Sequence, residues 1–322
     1  MKTASFVLAL LLACLRPAHA DPRDITLVFV GDLMLAEGPG KLIRSGRDPF
    51  ENFASTFRAA DLNIGNLECV ISAKGSAEPK PYTFRAPKRA LPLLKKYFSV
   101  VSLANNHSGD FGKAAFADML DSLDRHQIAY VGGGRKLRDA HRPFIRDIKG
   151  KRIGVLAYNG FFPRSFEALP DSPGNAWLDE DYVVEGIRKA KQEYGIDFLI
   201  VYPHWGWEYQ KIASERQVRM AHLMIDSGAD AVVGGHPHVT QNIEIYQGKP
   251  IFYSLGNFVF DGFKDIDTNT GWLIEMKLSF EGTLDWSITE ARIGRAGVPS
   301  RGKKVVMNAV GENNSALTFF GR

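Results

Sequence analysis

The sequence is poor in cysteine, with only Cys14 and Cys69 in 322 residues. Cys14 falls in an N-terminal stretch read below as a leader. Cys69 is then alone in the mature chain, which excludes an internal disulfide and leaves core packing, with or without a metal, to hold the fold. Beside an apolar segment, Cys69 reads as a small core residue, not a reactive thiol. No apolar run approaches the ~20 residues that a transmembrane helix needs. There is no lysine–arginine stripe, so no nucleic-acid or other polyanion face is visible. There is no low-complexity tract either, and 45% hydrophobic residues suit a globular core.

At the N-terminus Lys2 precedes an apolar run at residues 6–13, followed by Ala18-His19-Ala20. That order is the pattern of a secretory signal peptide over residues 1–20. Cleavage before Cys14, giving a lipoprotein, is the alternative; Leu12 fits poorly just inside such a site. The expectation is an exported protein, periplasmic or extracellular, with membrane association left open. Residues 21–322 are then a single domain starting near Asp21. Removing Lys2 and Arg16 lowers the basic residues from 40 to 38 against 36 acidic ones, so net charge falls from +4 to +2. The basic balance therefore points to no particular partner.

Residues 25–30 (ITLVFV) form a β-branched apolar run ending at Gly31-Asp32, a buried strand by pattern. Further strands are expected at 61–65, 98–103, 128–134, 152–158, 197–202 and 231–233. Helices are expected at 50–60, 87–97, 112–126, 181–194 and 214–227, the last opened by a Ser214-x-x-Gln217 capping box. Residues 161–177, rich in Pro and Phe, read as a long packed insertion, with a partner-facing surface as the alternative. Hairpin strands follow at 242–246, 250–254, 271–280 and 284–293. The first two thirds thus alternate strand and helix, and the last third is mainly strand. The class is α/β, with layered sheets flanked by helices.

Five strand-like runs each end in a metal-capable group: Asp32, Glu68, Asn106-His107, His204, and His236 with His238. In open α/β sheets, ligands bind at the carboxyl ends of strands. Each residue alone has an ordinary reading as a cap, turn or hydrogen-bonded residue. Five such ends together point to one shared pocket. The mixed nitrogen and oxygen donors suit Mn, Fe or Zn. His126, His141 and His222 read as structural. Gly132-Gly133-Gly134 is a weak phosphate-loop candidate. Lys80 and Arg85 are candidate substrate-charge holders by position, and Glu208 a candidate rim residue.

The ordered series Gly31-Asp32-Leu33-Met34, Asn66-Leu67-Glu68, Ala104-Asn105-Asn106-His107, His204-Trp205-Gly206, Gly235-His236-Pro237-His238 and Tyr253-Ser254-Leu255-Gly256-Asn257-Phe258 resembles that of CapA-type capsule and poly-gamma-glutamate synthesis proteins. The resemblance spans about residues 25–260. It implies a calcineurin-like metallophosphoesterase fold, two packed β-sheets flanked by helices. It also implies at least one divalent metal ion held by Asp32, Glu68, Asn106, His204, His236 and His238, with His107 as the catalytic histidine. Met34 stands where a histidine ligand belongs, so the first metal position loses a donor. Glu68 stands in the place of a bridging aspartate. Two readings stay open: a metal-dependent hydrolase of a phosphoester or anionic polymer, and a non-catalytic accessory protein beside a membrane-embedded polymer synthase.

Overall fold

The central strands are apolar on both faces because both faces are covered. In the strand at Ile25–Leu33, Leu27 and Phe29 point to one core while Val28 and Val30 point to another. In the strand at Phe198–His204, Ile200 and Tyr202 alternate in the same way with Leu199 and Val201. Such continuous apolar runs mark strands sandwiched between layers.

The computed structural model describes residues 21–307, without the side chains of residues 306 and 307. The leader expected at residues 1–20 lies outside the described residues. The chain forms β1 (Ile25–Leu33), α1 (Glu37–Arg44), a 3-10 turn (Glu51–Phe53), α2 (Ala54–Ala59), β2 (Leu62–Leu67), α3 (Ala90–Tyr97), β3 (Val100–Ser102) and α4 (Gly112–Arg125). Next come β4 (Ala129–Val131), β5 (Gly133–Gly134), α5 (Leu137–Ala140), β6 (Phe144–Ile148), β7 (Lys151–Asn159), β8 (Gly174–Asn175) and α6 (Glu180–Gln192). Then follow β9 (Phe198–His204), α7 (Glu215–Asp226), β10 (Ala231–Val233), β11 (Ile243–Tyr246) and β12 (Lys249–Phe252). The last strands are β13 (Asn257–Val259), β14 (Thr270–Leu278), β15 (Leu284–Ile293) and β16 (Pro299–Met307).

One sheet has the order β16-β15-β14-β1-β2-β3-β4, with β13 also paired to β1; the other runs β11-β12-β10-β9-β7-β6. Strands β1 to β4 are parallel, as are β7, β9, β10 and β12. The core between the sheets holds Phe29, Ile64, Val155, Ile200, Tyr202 and Ile274. Outside the first sheet, α2, α3 and α4 pack Phe57, Leu94, Phe116 and Met119. Outside the second, α6 and α7 pack Val183, Ile187, Met220 and Met224. This is the expected pair of packed sheets flanked by helices.

The expected elements appear with shifted ends, and the capping box at Ser214 and Gln217 is formed in full. The strand-rich last third is divided: β10 to β12 complete the second sheet, and β13 to β16 complete the first. Residues 128–134 break into two strands because Gly132 turns with φ +72° between them. Gly133 and Gly134 pair with Gly174 and Asn175, and a Cβ on Gly132 would sit 2.5 Å from Ala104, so the three glycines pack and form no phosphate loop. The pattern missed α1, whose Gly38, Pro39 and Gly40 disguise a helix, the one-turn α5, and the strands β6, β8, β13 and β16. Among the described residues no helix is long and apolar enough to cross a membrane.

Tyr202 ties the two sheets together beside their carboxyl ends. Its buried hydroxyl donates to Val30 O at 2.7 Å. Tyr202→Phe strands that acceptor and should cost about 1–3 kcal/mol. Urea unfolding measures it, and an unchanged midpoint would show the crossing bond to be dispensable.

Candidate metal centre

The carboxyl ends of both sheets meet at one edge, and close backbone approach brings the loops together. At Gly31 a Cβ would lie 1.8 Å from Gly256 O, and Asp32 N donates to that oxygen at 3.1 Å. At Gly235 a Cβ would lie 3.0 Å from Asp32 Oδ1. His236 and His238 take the left-handed backbone, with φ +97° and +57°. Non-glycine residues there carry strain of about 1–3 kcal/mol each, and such strain gathers at functional sites.

All seven sequence-predicted residues come together here. Asp32 ends β1, and Glu68 follows β2. Asn106 and His107 follow β3, His204 ends β9, and His236 and His238 follow β10. Donor atoms of Asp32, Glu68 and His238 lie within 4.8 Å of one another, all buried. A second set converges beside it: His204 Nε2 is 2.8 Å from Asn106 Oδ1 and 3.1 Å from His236 Nδ1. Glu68 Oε1 stands between the sets, 3.9 Å from the Nε2 atoms of His107, His204 and His238.

Sequence reasoning did not single out Asn66, Asn105, Asp110 or Asn257, although their segments belong to the quoted motifs or flank them. Asn66 Nδ2 donates to Asp32 Oδ1 at 2.8 Å and lies 3.1 Å from His204 Nδ1. Asn66 Oδ1 accepts from Asn105 Nδ2 at 2.9 Å, and Asn175 Nδ2 donates to Asn105 O at 2.9 Å. Asn257 Nδ2 donates to the carbonyls of His238 and Thr268, which turns its Oδ1 toward His238 Nδ1 at 2.9 Å. His238 then keeps its proton on Nδ1 and offers Nε2 to the centre. Asp110 Oδ2 plays the same part at His107 Nδ1, at 2.9 Å. Paired asparagines and an acid three residues past a histidine are the only sequence signals for these roles, and both are common elsewhere.

Other candidates fall outside the centre. Lys80 is ion-paired with Asp110 and donates to Asn106 O at 2.9 Å, so its charge is committed to the site's own frame and does not await a substrate. Arg85 donates to the carbonyls of Ser72, Lys74 and Gly75 and stacks on Phe111. Glu208 stays at the rim and adds to the negative field on Glu68. Burial pushes the Cys69 thiol up to about 12, in keeping with a core role. His126 bonds Ser122 O, His222 bonds Glu244, and His141 packs between Tyr158 and Tyr182. Met34 belongs to an apolar wall with Phe260, which Phe84 and Phe263 extend. The rings of Phe260 and Phe263 lie 5.0 and 5.3 Å from that of His238.

A divalent cation fits this donor set. Glu68 Oε1 and His236 Nε2 are buried with no hydrogen-bond partner among the described residues. Burial pushes Glu68 well above the usual carboxylate range, and the neighbouring Asp32 adds to it; burial raises Asp32 as well. Burial holds His204 and His236 well below the ordinary histidine value, so both are neutral and keep lone pairs. Buried anions without a counter-charge beside neutral imidazoles are what a Mn, Fe or Zn ion requires.

The sequence profile of the family described as bacterial capsule synthesis protein PGA_cap matches residues 26–262. This chain belongs to that family. The PGA_cap protein is similar to the PGA biosynthesis protein CapA of Bacillus subtilis, 34% identical over 281 residues, covering 83% of this chain and 71% of the relative. It is also similar to the capsule biosynthesis protein CapA of Bacillus anthracis, 31% identical over 252 residues and 76% of this chain; the match spans 61% of that relative's length. Among solved structures, NAD nucleotidase of Haemophilus influenzae aligns over 88% of this chain and 56% of its own, with TM-score 0.47 and 11% identity, too distant to bear on activity.

Two outcomes are expected of the centre. Asn257→Leu should weaken metal binding about 10–100-fold by freeing the His238 ring, as read by calorimetric titration; unchanged affinity would remove Asn257 from the site. The second concerns pH. Carboxyls with raised folded values leave the metal-free fold undisturbed below the ordinary carboxylate range, and cost it stability as pH rises through those values. A bound cation cancels that cost. The rise in melting temperature on adding Zn²⁺ or Mn²⁺ should therefore be larger near about pH 8 than near about pH 5. A rise independent of pH would contradict ligation by the two carboxylates.

Proposed function

We propose that this PGA_cap protein is an exported metal-dependent hydrolase that acts on a phosphoester or related acidic group during synthesis of an anionic envelope polymer, with residues 21–322 working as one domain. The observation that carries this reading is His107. Asp110 holds its Nδ1, and its Nε2 faces Glu68 Oε1 at 3.9 Å, beside the converging donors. A purely structural histidine needs no such aim.

Asp32, Glu68 and His238 would hold one cation, and Asn106, His204 and His236, with Glu68 beside them, a second or the sole one. A cation bound there supplies Lewis-acid stabilisation of charge on oxygen and a lowered pKa for water. His107 presents a proton at Nε2 for the leaving oxygen; burial lowers its hold on that proton, and the Asp110 carboxylate opposes this in part. Phe84, its ring tilted 39° to that of His107 with centroids 4.4 Å apart, covers one side of that imidazole. The relatives named for capsule and PGA biosynthesis support the polymer setting. The leader-like pattern of residues 1–20 supports export.

A second reading has one observation in its favour. Met34, which stands where the family resemblance implies a histidine ligand, packs instead in an apolar wall with Phe260. On that reading the protein is a non-catalytic accessory to a membrane-embedded synthase.

One experiment separates them: metal content by plasma mass spectrometry, with turnover of a generic phosphomonoester and phosphodiester under Mn²⁺ or Zn²⁺. His107→Ala should lower turnover about 10²–10⁴-fold and leave metal content unchanged. Bound metal without turnover in the unaltered protein would favour the accessory reading. Full turnover in His107→Ala would remove the proton donor from the mechanism.

A further inference from the structure

Beyond the ends of β7 and β9 lies a second recess, a cavity of about 140 Å³ lined by Phe161, Phe162, Leu178, Trp205, Trp207 and Met220. One of its walls, Phe161, also abuts the metal centre. The Phe161 ring lies 4.0 Å, centroid to centroid, from that of the candidate ligand His236. Trp205 directly follows the candidate ligand His204, and its backbone N–H donates to Gly235 O at 3.1 Å.

The loop carrying Trp207 is fastened on several sides. Tyr209 N donates to Pro237 O at 2.8 Å, and Gln241 Nε2 to Gln210 O at 2.8 Å. Ala213 N donates to Asn242 Oδ1 at 2.8 Å. Gly206 turns there with φ +91°, and a Cβ on it would lie 2.7 Å from Gln217 Oε1. Gln217 is itself buried and donates to Gln241 Oε1 at 2.8 Å. The recess is therefore a held shape.

Its chemistry is specific in two respects. An apolar cavity of about 150 Å³ accepts a benzene ring, so this one matches a single six-membered ring or a branched alkyl group of that size. Phe162 and Trp207 border it while 56% and 67% exposed, so large apolar side chains stand open to a ligand. At the mouth, the Arg216 guanidinium lies 5.0 Å from the Phe162 ring centroid, and among the described residues it has no ion-pair partner. Arg216 occupies the first turn of α7, whose N-terminal end adds positive potential. The mouth thus presents one guanidinium, with the acidic Glu215 next to it in the same turn.

We propose that this recess is the substituent subsite of the metal centre. It takes an apolar group of about one ring, carried by the same molecule whose phosphoryl or other acidic group meets the metal ligands. The inference rests on the metal-site reading and not on hydrolysis.

Calorimetric titration of the whole chain, loaded with Mn²⁺ or Zn²⁺, with phenylphosphonate and methylphosphonate tests it. Phenylphosphonate should bind at least about tenfold more tightly, the worth of burying one ring. Trp207→Ala and Phe162→Ala change exposed side chains outside the ligand set, and each should shrink that preference severalfold with metal content unchanged. Preference for phenylphosphonate without turnover of any ester would sink the hydrolase reading and keep the subsite. Equal binding of the two phosphonates, no binding of either to the metal-loaded protein, or a preference untouched by both variants would overturn the subsite.

Discussion

Asp32 and Glu68 are buried side by side, and no lysine or arginine among the described residues pairs with either. Water cannot screen them, and burying an unpaired carboxylate is among the more costly arrangements a fold can adopt. The surrounding groups answer to that charge. Asn66 donates to Asp32, and the imidazoles of His204 and His238 stand around Glu68 Oε1. The one nearby ammonium, on Lys80, is diverted to Asp110. A pocket composed this way is complete only with positive charge brought from outside, and the fold can be read as the support that keeps it ready.

That support depends on having two sheets. Asp32, Glu68, Asn106 and His107 come from the first; His204, His236 and His238 come from the second. Neither sheet carries a full donor set. The inter-sheet core around Phe29, Ile64, Ile200 and Tyr202 sets the spacing, and the hydroxyl of Tyr202 pins it near the site. Packed interiors do not deform smoothly, so small errors in this core would be felt as changes in distance between donors. Glycine at 31 and 235 serves the same end, because any side chain there would hold the loops apart.

The sequence made the convergence of the candidate residues legible because each strand's apolar run stops at a polar group, and the runs are long where both faces are buried. Seven candidate residues converged as their strand ends suggested. What was not legible has a common cause. Asn66, Asn257 and Asp110 act on other side chains, and their one-dimensional signal is the same as that of turn residues. Lys80 and Arg85 looked alike by position, yet tertiary contacts commit one to Asp110 and the other to loop carbonyls. The division of the last third between two sheets was hidden for a related reason: periodicity reports faces and says nothing about which neighbour a strand will choose. The insertion at residues 161–177 packs as expected around Ala168, Ala176 and Trp177, but the contact of Phe161 with His236 depends on a fold that composition does not encode.

The amides beneath the pocket have a direction. Asn175 donates to the backbone carbonyl of Asn105, while the Asn105 side chain donates to Asn66 and Asn66 to Asp32. The side-chain N–H groups of Asn105 and Asn66 point the same way, so turning the Asn66 amide over would set its N–H against that of Asn105 and its oxygen against Asp32 Oδ1. Hydrogen bonds in series also polarise one another. The floor of the site therefore has one fully paired setting of the Asn66 amide. None of its amides titrates, so only the last bond, to Asp32 Oδ1, senses whether that carboxyl gains or loses a proton.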